Sequence, residues 1–487
     1  MLKEFIIALS LTNLCFYNII LRFFYKNKFY IKDIPGAKEY VSLILAELLV
    51  TAFFWLAWRL VKKINNRYLI KFAKFFACLL VLIFIYDAAR DIKSFINLDL
   101  KIFRIVFFIT IIFLISKKRI SKATVFFILL MAPFAGVVFF QSVQNIVMDL
   151  KKEPIPKIEQ PVFAYQDNSP KILWLIFDEL DYHITFVDRP KNLKMPALDD
   201  LLQQSVSAQN AYSPSKSTAT SLPSLIDGKI VYTVSIANPE TLRIKYLDKK
   251  EFIDWGSQPN VFSRARQLKV NTAFVGDYLP YTRLIGKDVT FCDWFQYYPR
   301  YNTPGSIGAN IWRQIIMLLA GPAKHHLQRK ESYYDIQNLT KKLVSDPKFG
   351  LVMIHNPIPH HPHFYQYPWW KGLSSEGYIN ALKLVDLTVK EIRELMEKQG
   401  TWDRTTIIIS SDHSLRRGLF EKKDRRVPFI VKFAGQKNPI AYEPSFNTVI
   451  TQDLVLAILR NEIYSPEKAT EFLNRNGRMF DHDIIYE

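Results

Sequence analysis

The amino-acid sequence predicts an α-helical membrane domain followed by an α/β domain, in which helices cover both faces of a mostly parallel sheet. Two observations support this fold class. Five long apolar runs lie before residue 145, and none of comparable length follows them. Beyond residue 170, short continuous apolar runs, which are typical of buried parallel strands, alternate with segments of helical periodicity. This alternation is the pattern of a three-layer α/β sandwich.

The five N-terminal runs approach the length of about 20 residues that a helix needs to cross a bilayer. They predict a transmembrane domain at residues 1–142, and the polar, proline-containing residues 143–170 predict a connector. The first run lacks a small-residue cleavage site, so we interpret it as a retained anchor rather than a signal peptide. The runs cover residues 5–23, 41–60, 70–86, 103–116 and 123–140.

The charge of the loops predicts the orientation of this domain. The second and fourth loops, residues 59–67 and 117–122, are strongly basic, and short basic loops stay on the cytoplasmic side. With the N-terminus inside, five spans place the C-terminal domain on the outer face of the membrane, although the first loop is basic too. Glu47 lies within the second run, where a carboxylate is either functional or paired with a basic residue of the helix bundle.

Charge and cysteine content limit the partners. The chain carries a net charge of +19, but most of the excess flanks the apolar runs, where it suits an anionic lipid surface. No nucleic-acid-binding motif occurs, so the sequence predicts no nucleic-acid partner. Cys15 and Cys78 fall within apolar runs, and Cys292 is the one cysteine of the C-terminal domain, which therefore forms no internal disulfide.

The C-terminal domain, residues 171–487, contains five predicted strands and four predicted helices. Ligands of such sheets bind beyond the carboxyl ends of the strands, and both Asp178 and the pair Asp412-His413 follow predicted strands. Residues 310–320 form a further apolar helix, either a core helix or one that lies on the membrane surface. The strands cover residues 171–177, 272–275, 350–354, 406–410 and 427–433, and the helices residues 197–205, 217–226, 377–399 and 451–460.

Three polar clusters carry possible chemistry. Asp178-Glu179 and Asp412-His413 combine carboxylates with an imidazole, a donor set that suits catalytic zinc. The third, residues 355–363, holds four histidines within nine residues. Taken singly, an Asp after a strand is more often a helix cap, and a histidine-rich loop is more often a solvated turn.

A hydroxyl-rich stretch, residues 217–228, lies between these clusters in the chain. It leads into an apolar helical segment, and a hydroxyl at a helix N-terminus lies beside free N–H groups and the positive end of the helix dipole. That setting stabilises an alkoxide or an attacked phosphate or sulfate. The simpler interpretation is an ordinary helix cap, because Ser and Thr are preferred cap residues.

The order and context of these motifs resemble the alkaline phosphatase superfamily, in its sulfatase and membrane-bound phosphoethanolamine transferase branches. Thr218-Ala219-Thr220-Ser221-Leu222-Pro223 matches the Thr-Ala-x-Ser-x-Pro pattern of the lipid A transferases, and the sulfatase spacing, ten residues before Gly228, also gives Thr218. The transferase pattern His-x4-His-x-Pro-x-Tyr-Tyr is matched, with one conservative change, by His355, His360, Pro362, Phe364 and Tyr365.

The resemblance implies an alkaline-phosphatase or sulfatase-like three-layer sandwich and a divalent metal, with zinc as the first expectation. Thr218 corresponds to the nucleophile and is also a metal ligand. His360 corresponds to a histidine on the substrate or leaving-group side. The other metal ligands implied are Asp178, Glu179, Asp412 and His413, and the substrate-binding candidates are His355, His361, His363, Lys422 and Lys423.

Four departures separate this chain from those transferases. The two cysteines that bracket their nucleophile are Pro214 and Ser224 here, and the Gly after their Asp-His is Ser414. The first acid is Asp178 instead of Glu, and their later histidine has no counterpart. A sulfatase requires a Cys or Ser that is converted to formylglycine, and Thr218 does not meet this requirement, so true sulfatase activity is disfavoured.

These features predict a metal-dependent transferase. Thr218 takes a phosphoethanolamine head group from a membrane phospholipid, His360 protonates the leaving lipid, and an envelope glycan or glycolipid accepts the group. Three alternatives remain open at this point: a phosphoglycerol transferase, a sulfatase-like phosphodiesterase or other hydrolase, and a membrane scaffold without catalytic activity.

Overall fold

A computed structural model describes residues 1–24, 28–93, 126, 129, 132–151, 160–164, 169–416, 418–420 and 424–480. The chain forms two compact units that exchange short segments. The first unit contains residues 1–27, 33–155 and 300–321, and the second contains residues 28–32, 156–299 and 322–487.

Four long helices and one shorter helix make up the described part of the first unit. They are α1 (Leu2–Phe24), α2 (Ala37–Ile64), α3 (Arg67–Lys93), α4 (Ala132–Leu150) and, from a later part of the chain, a helix at Ile307–Ala320. The predicted span at residues 70–86 lies on α3. The fifth predicted span lies partly on α4, which continues into the predicted connector.

Two helices of the described residues, α1 and α2, are long and apolar enough to cross a membrane. The five-span prediction is therefore not supported beyond these two, and its fourth run, residues 103–116, lies outside the described residues. Helices α1 and α2 are antiparallel, because Thr51 donates a hydrogen bond to Thr12 at 3.1 Å and Tyr40 donates one to the Phe23 carbonyl at 3.2 Å.

The C-terminal end of α4 lies beside the N-terminal end of α2. The Asp149 carboxylate accepts a hydrogen bond from the Ala37 N–H at 2.7 Å. Helix α4 therefore ends on the same side as α1 ends and α2 begins. The Ile307–Ala320 helix packs against α2, where the Ser42 hydroxyl contacts the Ile307 carbonyl at 3.3 Å.

The second unit is built on an eight-stranded mixed sheet with the strand order β12-β2-β11-β10-β1-β9-β7-β8. The five strands β10, β1, β9, β7 and β8 are parallel, whereas β11 is antiparallel to both of its neighbours. The strands of this sheet are β1 (Lys171–Asp178), β2 (Val206–Ala208), β7 (Thr272–Asp277), β8 (Phe291–Phe295), β9 (Leu351–Pro359), β10 (Thr405–Ser411), β11 (Phe429–Lys432) and β12 (Ile440–Tyr442).

Helices cover both faces of the sheet, and the side chains of each strand alternate between two apolar cores. Ile172, Trp174 and Ile176 of β1 face one core, and Leu173, Leu175 and Phe177 face the other. The α/β prediction for this domain is confirmed. Its helices are α5 (Pro196–Leu202), α6 (Thr218–Asp227), α7 (Val261–Gln267), α8 (Tyr281–Leu284), α10 (Lys324–Ser345), α11 (Ser375–Lys398), α12 (Thr451–Leu459) and α13 (Pro466–Asn476). The helix at Ile307–Ala320, which belongs to the first unit, is α9.

Two small sheets complete the unit. One consists of β4 (Val231–Asn238), β5 (Thr241–Tyr246) and β6 (Ile253–Asp254), and the other pairs β3 (Ala211–Tyr212) with β13 (Phe446–Asn447). The Val231 N–H of β4 donates a hydrogen bond to the Ser224 hydroxyl of α6 at 2.8 Å, so the three-stranded sheet supports the helix that carries the predicted nucleophile.

Candidate metal centre and active site

The carboxyl ends of four adjacent strands bring the polar residues of the site together. Strand β1 ends at Asp178, β7 ends at Asp277, β9 carries His355, and Asp412 follows β10. Parallel strands that end at one edge of a sheet place their last side chains close to one another. This edge therefore positions the site that the sequence predicted from Asp178 and Asp412.

Asp178, His355 and Asp412 form a buried cluster of possible metal ligands. One donor atom of each lies within 4.8 Å of the donor atoms of the other two. The atoms Asp178 Oδ1, His355 Nε2 and Asp412 Oδ2 accept or donate no hydrogen bond although they are buried. Buried polar atoms are nearly always paired, so these three fit the ligand set of a divalent cation.

His413 joins this cluster. Its Nε2 lies 3.5 Å from Asp178 Oδ1, 3.4 Å from Asp412 Oδ2 and 3.3 Å from Thr218 Oγ1. Its Nδ1 lies 3.0 Å from the Ser414 carbonyl, which can only accept, so Nδ1 carries the proton. The lone pair of Nε2 therefore points at the carboxylates and the threonine.

A small network fixes the two strand ends that carry the carboxylates. The Ser411 hydroxyl donates to the Phe177 carbonyl at 2.7 Å and accepts from the Leu180 N–H at 3.0 Å. Asp412 Oδ1 accepts from the N–H groups of Glu179 and His413, at 3.3 Å and 2.9 Å. One oxygen of Asp412 is thus used for structure, and the other faces the cluster.

The buried carboxylates of the cluster also favour the binding of a cation. Burial, together with the neighbouring Asp412 carboxylate, raises the pKa of Asp178 well above its ordinary value. Burial lowers the pKa of His355, which favours the neutral imidazole that binds metals. A bound divalent cation would offset the cost of burying these carboxylates in one place.

Thr218 is the first residue of α6, as the sequence predicted for the nucleophile. The helix begins after Ser217, whose side chain makes no capping hydrogen bond. Thr218 is buried, and its hydroxyl lies 3.3 Å from His413 Nε2. The positive end of the helix dipole and the hydroxyl therefore face the same space as the metal ligands.

Glu179 does not join the cluster that the predicted ligand set assigned to it. Its backbone has a φ of 67°, which is unusual for a residue with a side chain. This turn directs the carboxylate to Arg416, whose Nε lies 3.1 Å from Glu179 Oε1. Glu179 thus pairs with the Arg416 guanidinium beside the metal cluster. His355, predicted as a substrate-binding residue, lies in the metal cluster itself.

His360 lies between two arginines. Its Nδ1 lies 2.6 Å from the His361 carbonyl and its Nε2 lies 3.1 Å from Arg416 Nη2. Nδ1 also lies 3.1 Å from Arg329 Nη2, so each ring nitrogen faces a guanidinium donor, and Nδ1 faces a carbonyl acceptor as well. Burial and the nearby Arg329 hold the pKa of His360 well below its ordinary value. Its role as the acid for the leaving group stays a prediction.

Arg329 is the second arginine, and it is fully buried on helix α10. It forms an ion pair with Asp277 at 2.6 Å, its Nη2 lies 3.1 Å from His360 Nδ1, and it donates to the His361 carbonyl at 3.3 Å. A buried, hydrogen-bonded ion pair of this kind is rigid because either partner alone would be left as an uncompensated charge. The pair fixes the His360–His361 turn.

The remaining substrate-binding candidates lie at different distances from the metal cluster or outside the described residues. His361 adjoins His360, with its Nδ1 3.3 Å from that of His360. His363 lies apart from the metal cluster, in a cavity of about 130 Å³, where its ring packs against Tyr367 and Tyr378. Lys422 and Lys423 lie outside the described residues.

Three functional candidates were missed from the sequence: Asp277, Arg329 and Arg416. Asp277 ends an apolar strand as Asp178 does, so the sequence pattern could have predicted it as a carboxylate at a strand end. Arg416 follows His413 by three residues, in the loop after β10. Arg329 lies in a long polar helix with no local signal, because its role arises from contacts with distant residues.

Comparisons with known proteins address the family of the chain. A family model described as sulfatase matches residues 170–460. The search of curated proteins found no match.

Similar solved structures include the PsFucS1 sulfatase from Pseudoalteromonas sp., with 15% identity, a TM-score of 0.41 and coverage of 61% of this chain and 69% of that one. A protein of the alkaline phosphatase superfamily from Vibrio parahaemolyticus has 14% identity, a TM-score of 0.41 and coverage of 66% and 73%. The phosphonate monoester hydrolase of Agrobacterium radiobacter has 13% identity, a TM-score of 0.40 and coverage of 60% and 74%.

Proposed function

We propose that this chain, which belongs to the sulfatase family, is a metal-dependent transferase. It moves a phosphoethanolamine head group from a membrane phospholipid, through a phosphothreonine at Thr218, to an envelope glycan or glycolipid. The observation that carries the proposal is the position of the Thr218 hydroxyl, at a helix N-terminus and 3.3 Å from His413 Nε2. A hydroxyl in this place is an activated nucleophile.

The nucleophile is what separates this proposal from sulfate hydrolysis. Formylglycine forms from Cys or Ser, and the chain has Thr218 at the N-terminus of α6, beside His413. A threonine hydroxyl attacks a phosphodiester and retains the phosphoryl group as an ester. A second substrate with a hydroxyl or a phosphate can then displace the threonine, which is a transfer reaction.

The residues present fit a divalent metal, with zinc favoured by the mixture of carboxylate and imidazole donors. Asp178, Asp412 and His413 would hold it with Thr218, and His355 is a further ligand from the same cluster. When bound, such an ion lowers the pKa of a coordinated hydroxyl and offsets negative charge on the reacting phosphate.

Arg416 supplies positive charge for the transferred group. Its side chain is 39% exposed, so it reaches the open side of the site, while Glu179 and His360 hold its guanidinium. Arginine binds phosphate oxygens through two parallel N–H groups. His360 contacts the Arg416 guanidinium and remains the candidate that protonates the leaving lipid.

Membrane placement supports a lipid donor. Helices α1 and α2 suit a bilayer, and α4 ends on the side where α1 ends. If α1 enters from the cytoplasm, the chain after α4 emerges on the outer face of a bacterial inner membrane, because the basic loop Lys62, Lys63 and Arg67 stays inside. The catalytic unit would then meet phospholipid head groups and envelope acceptors on one surface.

The proposal is tested with the full-length protein in detergent micelles that contain phosphatidylethanolamine. We expect intact-protein mass spectrometry to show phosphoethanolamine on Thr218, and Thr218→Ala to abolish both the adduct and lipid turnover, a loss of about 10³-fold or more. Ser217→Ala is the matched control, since it removes the neighbouring hydroxyl, which makes no capping hydrogen bond. It should retain activity.

The same experiment separates the alternatives. Release of free phosphoethanolamine that depends on Thr218, without any acceptor product when envelope lipids are added, would identify a phosphodiesterase. Phosphatidylglycerol turnover in place of phosphatidylethanolamine turnover would identify a phosphoglycerol transferase. A protein that binds no divalent ion and turns over neither lipid, with or without Thr218→Ala, would be a scaffold.

A further inference from the structure

The segment Lys28–Lys32 lies between α1 and α2 in the chain but belongs to the catalytic unit. It forms a short helical turn at Lys28–Tyr30, and Phe29 is fully buried in the same core as Trp174 of β1. The catalytic unit is therefore completed by five residues from the N-terminal part of the sequence.

Charged and polar contacts hold this segment in place. Arg283 donates hydrogen bonds to the carbonyl groups of Phe29 and Ile31, the latter at 2.9 Å. Lys32 forms an ion pair with Asp293 at 2.7 Å, and its N–H donates to Gln296 at 2.8 Å. Hydrogen bonds at three backbone groups, the Phe29 and Ile31 carbonyls and the Lys32 N–H, fix the backbone on both sides of Tyr30.

Tyr30 closes a ring of four tyrosines, which we call the tyrosine ring: Tyr30, Tyr278, Tyr297 and Tyr298. Neighbouring ring centroids around it are 5.1, 6.3, 5.4 and 6.0 Å apart. All four side chains are partly exposed. The hydroxyl groups of Tyr30 and Tyr278 are 3.3 Å apart.

The tyrosine ring adjoins the active site. The Tyr297 ring packs edge-on against His360, at 5.9 Å between centroids, and the Arg329 guanidinium lies 4.8 Å from the Tyr297 centroid. Tyr278 directly follows Asp277, the partner of Arg329, and has a φ of 84°. A bulky residue rarely adopts this conformation unless its surroundings impose it, and such residues concentrate at functional sites.

The chemistry of the tyrosine ring selects one class of ligand. Arg329 beside Tyr297 pairs with Asp277, and Arg416 beside His360 pairs with Glu179, so neither arginine offers an unpaired charge that would select an ionic ligand for the ring. The phenolic hydroxyls would be costly to cover with a hydrocarbon chain. A sugar ring carries both apolar C–H faces and hydroxyl groups, so it matches the faces and the hydroxyls of tyrosines.

We propose that the tyrosine ring is the acceptor subsite and binds a sugar ring, with Tyr30 as a specificity-determining residue supplied by the segment between α1 and α2. This inference rests on the proposed function, since it names the acceptor class of the same site. The sugar hydroxyl oxygen forms a bond to the phosphorus of phosphothreonine, the bond from phosphorus to Thr218 Oγ1 breaks, and the hydroxyl proton replaces phosphorus on Oγ1.

The test uses the full-length protein, its bound metal and bis(p-nitrophenyl) phosphate as donor. Attack by Thr218 releases p-nitrophenol, which measures the first step. The p-nitrophenyl phosphoryl group on Thr218 then goes to water or to an added alcohol, and mass spectrometry gives the ratio of transfer to hydrolysis. Methyl glucoside is the sugar probe, and glycerol is a matched alcohol without a ring.

We expect Tyr30→Ala to lower the transfer-to-hydrolysis ratio for methyl glucoside about fivefold, with p-nitrophenol release within about twofold of the unaltered protein. The ratio for glycerol should stay unchanged. Tyr30→Phe keeps the aromatic face and should restore most of the ratio. Lys28→Ala is the control within the segment, because the structure uses its backbone, and it should change neither quantity.

Two results would overturn the inference while leaving the proposed function intact: no transfer to methyl glucoside in the unaltered protein, or an equal loss of transfer to methyl glucoside and glycerol in Tyr30→Ala. The latter would reveal a general structural defect, which a lowered melting temperature would confirm. If p-nitrophenol release requires neither metal nor Thr218, the proposed function itself fails.

Discussion

At the scale of single residues, the site contains two groups of side chains: those that form the metal cluster and those that surround it. Asp178, Asp412 and His413 were predicted from the sequence, because each follows a strand and belongs to a motif with a chemical role. The sequence could not show that Glu179 faces Arg416, since the left-handed turn at this residue is a property of the folded backbone. Arg416 was missed because its partners, Glu179 and His360, are far from it in the chain.

Arg416 gives a prediction about the transferred group. Arg416→Gln removes the charge and should lower kcat/KM for the phospholipid about 10- to 100-fold, because an arginine contact to a developing phosphate charge is worth that much. Arg416→Lys keeps the charge but loses the planar fork that bonds Glu179 and His360 together, so we expect only partial recovery. Steady-state kinetics in micelles measure both.

Arg460→Gln is the control for this comparison. Arg460 is also exposed and also pairs with a carboxylate, Glu462 at 2.7 Å, but it lies on the surface after α12. It should leave kcat/KM unchanged. Equal activity of Arg416→Gln and the unaltered protein would remove Arg416 from the site.

At the scale of elements, the nucleophile helix α6 is positioned from both ends. Its first residue is Thr218, and its last, Asp227, is buried against the three-stranded sheet β4–β6. Tyr246 and Trp255 donate hydrogen bonds to the Asp227 carboxylate at 2.8 Å and 3.0 Å. The sequence predicted α6 from its pattern but not this sheet, because β4 is only half-buried and its partner strands are short or irregular.

Asp227 predicts a pH dependence of stability. Burial raises the pKa of this carboxyl from 3.8 to about 7, although Tyr246 and Trp255 act against the shift. The folded state thus holds a proton that the unfolded state releases, so this stabilisation is complete below about pH 4 and is lost as the pH rises to about 7. Asp227→Asn carries no titrating proton and should show a smaller decrease in melting temperature between these pH values.

Thermal unfolding of the full-length protein at several pH values measures this difference. The quantity to compare is the slope of melting temperature against pH in Asp227→Asn and in Asp254→Asn, an exposed carboxylate on β6. Equal slopes in Asp227→Asn and the unaltered protein would contradict the assignment of a buried, protonated Asp227.

At the scale of the whole molecule, the sequence predicts two consecutive domains, and the structure shows two units that exchange segments. The α/β class followed from apolar runs of strand length, because buried parallel strands have to be continuous and apolar. This reasoning could not predict the exchange, since Lys28–Lys32 has no distinct pattern and the apolar helix at residues 310–320 carries no signal of the unit that it joins. Trp312 and Leu319 of the latter helix are 63% and 79% exposed, which keeps its predicted place at a membrane surface open.

Orientation across the membrane is the remaining prediction at this scale. The hydrogen bond between Asp149 and Ala37 fixes the end of α4 on the side where α2 begins, and the basic residues Lys62 and Lys63 lie at the other end of α2. Basic loops stay in the cytoplasm. A membrane-impermeant maleimide should therefore label Asp248→Cys, an exposed position of the catalytic unit, in intact cells.

Lys63→Cys should react only after the membrane is permeabilised, and the unaltered chain, with its three native cysteines, gives the background. Labelling of Lys63→Cys in intact cells, with Asp248→Cys protected, would reverse the topology and place the proposed transfer on the cytoplasmic face, away from envelope acceptors.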